Sequence, residues 1–269
     1  MPARPASRSD TVLVTGASSG IGAALAERFA RDGHGLVLVA RRAAQLTELA
    51  EALAQRHGVR ALALPTDLAR PGAVPALAEA LRRRRLRIDV LVNNAGVLHQ
   101  GAFTRMKPEQ QRAMVDLNVA AFTELLVHFV PPMRRRGHGR VLNLASIAAF
   151  QPVPSLATYA ATKAYVLSLS ESLGQELAGS GVTVTALCPG ITDTGMLEGA
   201  RRANARLTQL PDLMVSDAEA VAEAGYQACL RGEALRVAGA FNEALTLASR
   251  VAPRWLLRQA GRSLARRTR

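Results

Sequence analysis

Short apolar runs alternate with longer segments of helical period along most of the chain. The apolar runs cover 11–15, 35–40, 59–64, 88–92, 139–146 and 182–187, and the helical segments between them cover 20–32, 42–57, 72–85, a stretch near 108–130 and about 156–178. Strands that are apolar throughout and joined by helix-length connections are typical of parallel strands buried on both faces. The pattern therefore predicts one doubly wound α/β domain, with a mostly parallel sheet of seven strands and helices on both faces.

The alternation becomes less regular after Leu187. A segment from about 188 to 216 lacks clear periodicity and is a candidate lid, because structureless stretches above roughly 12–15 residues are usually functional or disordered. A helix near 217–230 and a short strand near 234–238 follow. We expect three regions: a flexible basic N-terminus over 1–9, the main domain over 10–240, and a basic helical extension over 241–269.

Charge and composition narrow the class of protein. Of 269 residues, 49% are hydrophobic and 20% are charged, which is a globular balance, and the formal net charge is +13. Seven of the 34 basic residues are arginines in two runs at predicted helix C-termini, at 82–85 and 134–136, where cations complement the helix dipole. These runs predict a solvated face away from the ligand crevice, with weak binding to anionic surfaces as the alternative.

Two further absences in the sequence favour a cytoplasmic protein. Cys188 and Cys229 are too few for a disulfide framework, and no Cys/His group has the spacing of metal ligands. The N-terminus lacks a secretory pattern, and no apolar run approaches the ~20 residues of a membrane span. We expect no metal and no nucleic acid as ligands.

A glycine-rich turn follows the first predicted strand and opens the first predicted helix. The sequence TGASSGIG at 15–22 has the form GxxxGxG, in which glycines permit a tight turn and a close approach of the backbone to a ligand. The helix N-terminus also offers unpaired amides to a pyrophosphate. The turn predicts a Rossmann-type dinucleotide site that is formed by Gly16, Ser18, Ser19, Gly20, Ile21 and Gly22.

The end of the second strand favours one cofactor. A carboxylate at this place would bind a ribose 2′-hydroxyl and repel a 2′-phosphate. Ala40 stands there instead, and Arg41 and Arg42 follow, so a 2′-phosphate would meet two cationic forks. We therefore predict NADP(H) rather than NAD(H), although arginines are also ordinary in the first turn of a helix in so arginine-rich a chain.

A tyrosine and a lysine share one face of the helix near 156–178. Tyr159 and Lys163 are four residues apart, and only two of the 34 basic residues are lysine. A phenol must lose about three pKa units to act as an acid or base near neutral pH. A neighbouring ammonium and a positively charged nicotinamide ring could supply that shift, and Ser146 ends the preceding predicted strand.

Taken together, these motifs resemble the classical short-chain dehydrogenases/reductases. The resemblance rests on TGASSGIG at 15–22, Asp67, NNAG at 93–96, Asn118, Ser146, YAATK at 159–163 and PGITDT at 189–194, which occur in the family's order over about residues 10–240. It implies a dinucleotide-binding and catalytic domain that moves a hydride between NADP(H) and a carbonyl or alcohol carbon. It also implies a homo-oligomer.

The resemblance assigns roles to individual residues. Tyr159 would be the catalytic acid/base, Ser146 would donate a hydrogen bond to the substrate carbonyl, and Lys163 would bind the nicotinamide ribose and lower the tyrosine pKa. Asn118 would anchor a water in a proton relay. Tyr159, like Lys163, would also contact the cofactor. The remaining cofactor contacts would come from Asp67 at the adenine, from Asn93, Ala95 and Gly96 near the adenosine ribose, and from the segment of Pro189, Gly190, Thr192 and Thr194 at the nicotinamide.

The substrate and the C-terminal extension leave alternatives open. Apolar residues near the expected catalytic end, namely Leu98, Ile147, Phe150, Val153, Met196 and Leu197, suggest an apolar ketone, aldehyde or secondary alcohol. Arginines in the candidate lid (Arg201, Arg202 and Arg206) could instead serve a 3-oxoacyl thioester of coenzyme A or an acyl carrier protein. The extension 241–269 could contact a membrane surface, or pack on the core or a sister subunit. A non-enzymatic cofactor sensor on the same scaffold is a further alternative.

Overall fold

A seven-stranded parallel sheet organises the chain. The structure is a computed structural model and describes residues 10–193, 215–240, 242–244 and 246. The strands are β1 (Thr11–Thr15), β2 (Gly35–Ala40), β3 (Ala61–Pro65), β4 (Val90–Asn93), β5 (Gly139–Leu144), β6 (Val182–Cys188) and β9 (Leu235–Val237), in the spatial order β3-β2-β1-β4-β5-β6-β9. The predicted seven-stranded, doubly wound sheet is thus confirmed, and all its strand pairs are parallel.

Helices cover both faces of the sheet. The helices are α1 (Gly20–Arg31), α2 (Ala43–His57), α3 (Ala73–Arg83), α4 (Pro108–Val115), α5 (Phe122–Arg136), α6 (Ala157–Glu176) and α7 (Ala218–Arg231). Successive strand residues point to opposite faces. Val12 and Val14 pack with α1, α2 and α7, whereas Leu13 packs with α3, α5 and α6.

The strand order reverses between β1 and β4. The chain runs from β1 outward through β2 and β3, then crosses to β4 and continues outward on the other side. In doubly wound sheets, ligands bind at this switch point, in the crevice beyond the carboxyl ends of the strands. The glycine turn after β1 and the NNAG segment after β4 therefore lie side by side at the crevice.

Three local details differ from the periodic pattern. The periodic segment near 108–130 extends as a helix through Pro131 and Pro132 to Arg136, because Met133 completes its buried face, so the arginine run 134–136 does end a helix as predicted. Residues 116–121 form a π-helical turn between α4 and α5. Strand β5 ends at Leu144, so Ser146 lies beyond it, as the N-cap of a 3-10 turn over Ile147–Phe150.

The continuous helix from Pro108 to Arg136 is long and apolar enough, by length and composition, to cross a membrane. In the structure, 44% of its apolar window is buried. Phe122, Leu125 and Phe129 belong to the core on one face of the sheet. The length and apolar composition of this helix therefore also fit a core helix of this fold.

The candidate lid is joined at its ends. Ile191–Thr192 (β7) pairs in parallel with Val215–Ser216 (β8), and the amide of Asp193 donates to the Ser216 carbonyl over 3.0 Å. This pairing was not predicted, because a two-residue bridge has no detectable hydrophobic period. Residues 194–214 of the candidate lid, the N-terminal 1–9 and most of the extension 241–269 lie outside the described residues, so the predicted region boundaries stay predictions.

Candidate active site

The glycine turn has a shape that side chains would block. Gly16 has φ +66°, and a Cβ on Gly22 would lie 2.3 Å from the Gly16 carbonyl oxygen. Helix α1 begins at Gly20 with neither an acidic residue in its first turn nor a side-chain cap from Ser19. Its N-terminal amides are therefore available to an anion, which is the arrangement that a dinucleotide pyrophosphate requires.

Arg42 lies directly over this turn. Its Nη2 atom donates to the Ser19 hydroxyl at 2.7 Å and to the Ser18 hydroxyl at 3.0 Å, and its Nε lies 3.3 Å from the same Ser18 oxygen. Arg41 is exposed beside it. Since Ala40 ends β2 without a carboxylate, this corner of the crevice is cationic and suits a phosphate on the adenosine ribose.

Two residues that the sequence reasoning missed hold the turn in place. The Thr15 hydroxyl accepts the amides of Asn94 and Ala95, both at 3.0 Å, and the Asn94 side chain donates to the Thr15 carbonyl at 2.8 Å. These bonds join the ends of β1 and β4. Both residues belong to the quoted motifs, but only their spatial pairing reveals the positioning role.

Asn93, Gly96 and Asp67 occupy different environments. The buried Asn93 side chain donates to the Phe122 carbonyl at 3.1 Å, so it faces α5, and a nucleotide could contact only its main chain. A Cβ on Gly96 would lie 3.4 Å from Asn118 Oδ1 and 3.6 Å from Lys163 Nζ, which places this glycine beside the predicted catalytic residues. Asp67 follows β3, where its carboxylate accepts the Ala69 amide at 3.3 Å.

Three predicted catalytic side chains come together at the carboxyl end of β5. Ser146 lies beside Tyr159, where it favours the ionised form of the phenol, and both Tyr159 and Lys163 are buried. Lys163 Nζ donates to the Leu144 carbonyl at 2.6 Å and lies 5.8 Å from the centre of the Tyr159 ring. Helix α6 thus presents the phenol and the ammonium on one face, as the four-residue spacing predicts.

Asn118 connects the crevice to α6. It lies in the π-helical turn, and such turns are frequent at functional sites. Its Oδ1 accepts the Val97 amide at 2.9 Å, while its Nδ2 donates to the Val97 carbonyl at 2.9 Å and to the Thr162 hydroxyl at 3.2 Å. The side chain therefore fixes the loop after β4, and its role in anchoring a water stays a prediction.

The ionisation of the tyrosine differs from the sequence expectation. Burial raises the pKa of Tyr159 to about 12, and the hydrogen bond with Ser146 opposes this rise. Burial also lowers the pKa of Lys163 to about 8, against the influence of Cys188. In the protein without its cofactor, desolvation therefore has a larger effect on the tyrosine pKa than the lowering that was expected from the lysine. The charge pattern of a sequence does not reveal this desolvation.

The buried ammonium predicts a pH-dependent stability. In the unfolded chain Lys163 keeps its ordinary pKa of 10.5, whereas in the folded protein the value is about 8. The folded state therefore binds fewer protons between these values, and its stability rises with pH through that window. Relative to Lys163→Met, the wild type should gain up to about 3 kcal/mol of unfolding free energy between pH 7 and pH 10.

Urea unfolding at a series of pH values measures this gain. Lys107→Met, which removes the exposed second lysine, is the matched control. Parallel curves for wild type and Lys163→Met would show that the ammonium is not desolvated.

The segment after β6 packs against the start of the C-terminal extension. A Cβ on Gly190 would lie 2.4 Å from Asn242 Nδ2, and that side chain donates to the Ala238 carbonyl at 2.8 Å. Pro189 accepts the Ile147 amide at 3.0 Å, which ties the segment to the turn carrying Ser146. Thr192 is buried in β7, and Thr194 lies outside the described residues.

The substrate side of the crevice is bounded by two loops. One loop follows β4 and contains Leu98, and the other contains Ile147, Phe150 and Val153, all partly buried. The Gly101 amide donates to the Ser155 carbonyl at 2.9 Å and joins the loops. Met196, Leu197 and the arginines of the candidate lid lie outside the described residues.

A carboxylate and histidine cluster that the sequence reasoning missed lies at the opposite edge of the sheet. The potential ligand atoms of Asp10, Asp89 and His138 are within 4.8 Å of one another. Arg87 donates to Asp89 at 2.9 Å, and Arg136 lies 3.6 Å from the same carboxylate. Because cations already contact Asp89, we assign this cluster a structural role.

Comparisons with known proteins agree with the crevice geometry. A family model described as short chain dehydrogenase matches residues 10–205. The chain is similar to a short-chain dehydrogenase from Sphingobium yanoikuyae in complex with NADPH, with 39% identity and a TM-score of 0.79 over 90% of this chain and 94% of that chain.

Two further similarities concern proteins with named activities. A bulky-bulky ketone specific alcohol dehydrogenase from Comamonas testosteroni is 32% identical, with a TM-score of 0.76 over 91% of this chain and 93% of that chain. The ketoacyl reductase HetN from Nostoc sp. is 34% identical over 192 residues, which are 71% of this chain and 67% of that protein.

Proposed function

The protein belongs to the short-chain dehydrogenase family, and from this membership we propose that it transfers a hydride between NADP(H) and a carbonyl or secondary alcohol carbon of a largely apolar substrate. The observation that carries the proposal is that the buried Tyr159 lies beside Ser146 at the carboxyl end of β5, with the ammonium of the buried Lys163 5.8 Å from the centre of its ring. An oxidoreductase of this family requires these groups in one crevice.

The residues at the crevice fit NADP(H). The glycine turn offers close backbone approach and helix amides to the pyrophosphate, and Arg42 over Ser18 and Ser19 offers its guanidinium to the 2′-phosphate. The Sphingobium relative was solved with NADPH, which supports the same cofactor here. When bound, the nicotinamide supplies or accepts the hydride.

The protein side chains would then handle the proton. In the direction of carbonyl reduction, the Ser146 hydroxyl holds the carbonyl oxygen, and Tyr159 Oη gives that oxygen its proton. In the protein alone, burial holds the pKa of Tyr159 near 12, so the phenol is protonated at neutral pH and can act as the acid. Lys163, anchored on the Leu144 carbonyl, positions the nicotinamide ribose and supplies positive charge beside the developing phenolate.

Nucleotide titration followed by a substrate panel tests the function. Protein fluorescence should show tighter binding of NADPH than of NADH, and the panel should show turnover of apolar ketones or secondary alcohols. Binding without turnover of any substrate would favour the non-enzymatic sensor, and binding of neither nucleotide would overturn the proposal.

A 3-oxoacyl thioester reductase is the second candidate. It is supported by the similarity to the ketoacyl reductase HetN. The Comamonas relative, which is named for bulky ketones, favours the free ketone instead. The ratio of kcat/KM for a 3-oxoacyl coenzyme A thioester to that for a ketone of equal chain length decides between the two.

We also propose that the protein forms a homo-oligomer and is located in the cytoplasm. Large apolar side chains are exposed on neighbouring elements, with Phe103 at 64%, Val127 at 63% and Val115 at 42% exposure. An apolar surface of this kind is suited to a second copy of the chain. Sedimentation measures the state directly, and the predicted membrane contact through 241–269 can be tested by vesicle co-sedimentation.

A further inference from the structure

A groove lies at the edge of the sheet opposite the crevice. The C-terminal ends of α3 and α5 enclose it, together with the chain that enters β4, and its volume is about 540 Å³. Its lining includes the partly exposed apolar side chains of Ala78, Leu86 and Pro132, which lie over the buried core residues Leu81, Ile88 and Phe129. This volume falls within the range of about 300–1,000 Å³ that is common for small-molecule sites.

The rim of the groove is cationic. Arg82, Arg85, Arg87 and Arg136 line it, against the single lining carboxylate of Glu79. Arg82 pairs with Glu79, and Arg87 and Arg136 lie at Asp89 behind the groove. The four guanidiniums thus outnumber the two carboxylates that contact them.

At the inner side of the rim, the positive charge of Arg136 is only partly compensated. Burial lowers the pKa of Arg136, Asp89 opposes this effect, and the nearby Arg87 and Arg135 add to the lowering. Arg136 Nη2 donates to the Ile88 carbonyl at 2.7 Å, but the buried Nε of Arg136 has no hydrogen-bond partner among the described residues. An anion in the groove would relieve this crowding of positive charge.

Arg85 occupies a backbone position that usually belongs to glycine. The Leu86 amide donates to the Leu81 carbonyl at 3.0 Å and the Arg85 amide to the Arg82 carbonyl at 2.9 Å, which is a Schellman motif at the end of α3. Arg85 is the left-handed residue of this motif, with φ +55°. Among the described residues its guanidinium has no partner, so the chain carries backbone strain here and leaves a cation free at the rim.

We propose that this groove binds an amphipathic anion, a single alkyl chain with a carboxylate head. The alkyl chain lies on the partly exposed Ala78, Leu86 and Pro132, and the carboxylate is held at Arg85 and the neighbouring guanidiniums of the rim. Guanidinium forks match the planar carboxylate, and the apolar floor excludes a fully hydrated ion. Arg82 and Arg85 of one arginine run and Arg136 of the other therefore line one groove, because α3 and α5 end side by side.

Calorimetric titration with dodecanoate tests the site. Arg85→Ala should weaken binding roughly fivefold. Arg84→Ala is the matched control, since it removes an equal charge from the same run, and its guanidinium contacts its own helix at the Ala80 carbonyl. Acetate, which lacks the chain, and dodecyltrimethylammonium, which reverses the head charge, should bind far more weakly than dodecanoate.

Arg85→Gly separates binding from structural damage. Glycine removes the strain at the left-handed position, so this variant should unfold about 2–4 °C higher than the wild type while binding dodecanoate as poorly as Arg85→Ala. Equal losses in Arg84→Ala and Arg85→Ala, or equal binding of the cationic amphiphile, would overturn the proposal. So would binding to anionic lipid vesicles without any binding of dodecanoate.

Discussion

Tyr159→Phe is expected to lower kcat by about 10³-fold on every substrate that the wild type turns over, because general acid catalysis by a positioned group contributes effects of that order. The substitution removes only the phenol hydroxyl and leaves the buried ring in place. Affinity for NADPH should therefore remain within about twofold of the wild type, since Lys163 and the glycine turn, which supply the other predicted contacts with the cofactor, are unchanged.

The chain offers a matched control for this measurement. Tyr165 lies on the same helix, is 38% exposed, and its hydroxyl lies 2.9 Å from that of Thr123, outside the crevice. Tyr165→Phe removes the same atom and should retain wild-type kcat. If Tyr159→Phe kept a tenth or more of the wild-type kcat, another group would have to supply the proton.

The hydrophobic pattern predicted the fold well because the strands of this sheet are buried on both faces. Strands β1 and β2 have the predicted bounds of 11–15 and 35–40, and most other elements differ by one or two residues. Continuous apolar runs locate such strands without any partner information. The π-helical turn at 116–121 was invisible, because its side chains follow the same apolar pattern as an α-helix.

The site was predictable where chemistry resides in a motif, and not where it depends on tertiary packing. Spacing alone placed Tyr159 and Lys163 on one face of α6. The pairing of Thr15 with Asn94 and the convergence of the two arginine runs around one groove depend on which elements are neighbours. Similarly, the burial that raises the pKa of Tyr159 follows from the packing of α6 on the sheet.

Cofactor preference should be reversed by two substitutions at the end of β2. In the double variant Ala40→Asp and Arg42→Ala, the guanidinium over Ser18 and Ser19 is lost and a carboxylate is introduced. The carboxylate repels a 2′-phosphate and accepts a hydrogen bond from a ribose 2′-hydroxyl. Since each charged hydrogen bond contributes about 1.5–3 kcal/mol, the ratio of kcat/KM for NADPH to that for NADH should fall by about 10³-fold.

The single variants divide this effect into its two causes. Arg42→Ala should weaken NADPH with little change for NADH, because NADH presents no 2′-phosphate to the guanidinium. Ala40→Asp should weaken NADPH and strengthen NADH together. Arg31→Ala, at the far end of α1, removes an equal charge outside the crevice and should leave the ratio unchanged. If Arg31→Ala and Arg42→Ala lowered the ratio equally, the preference would come from the net positive charge of the protein and not from a guanidinium at the 2′-phosphate.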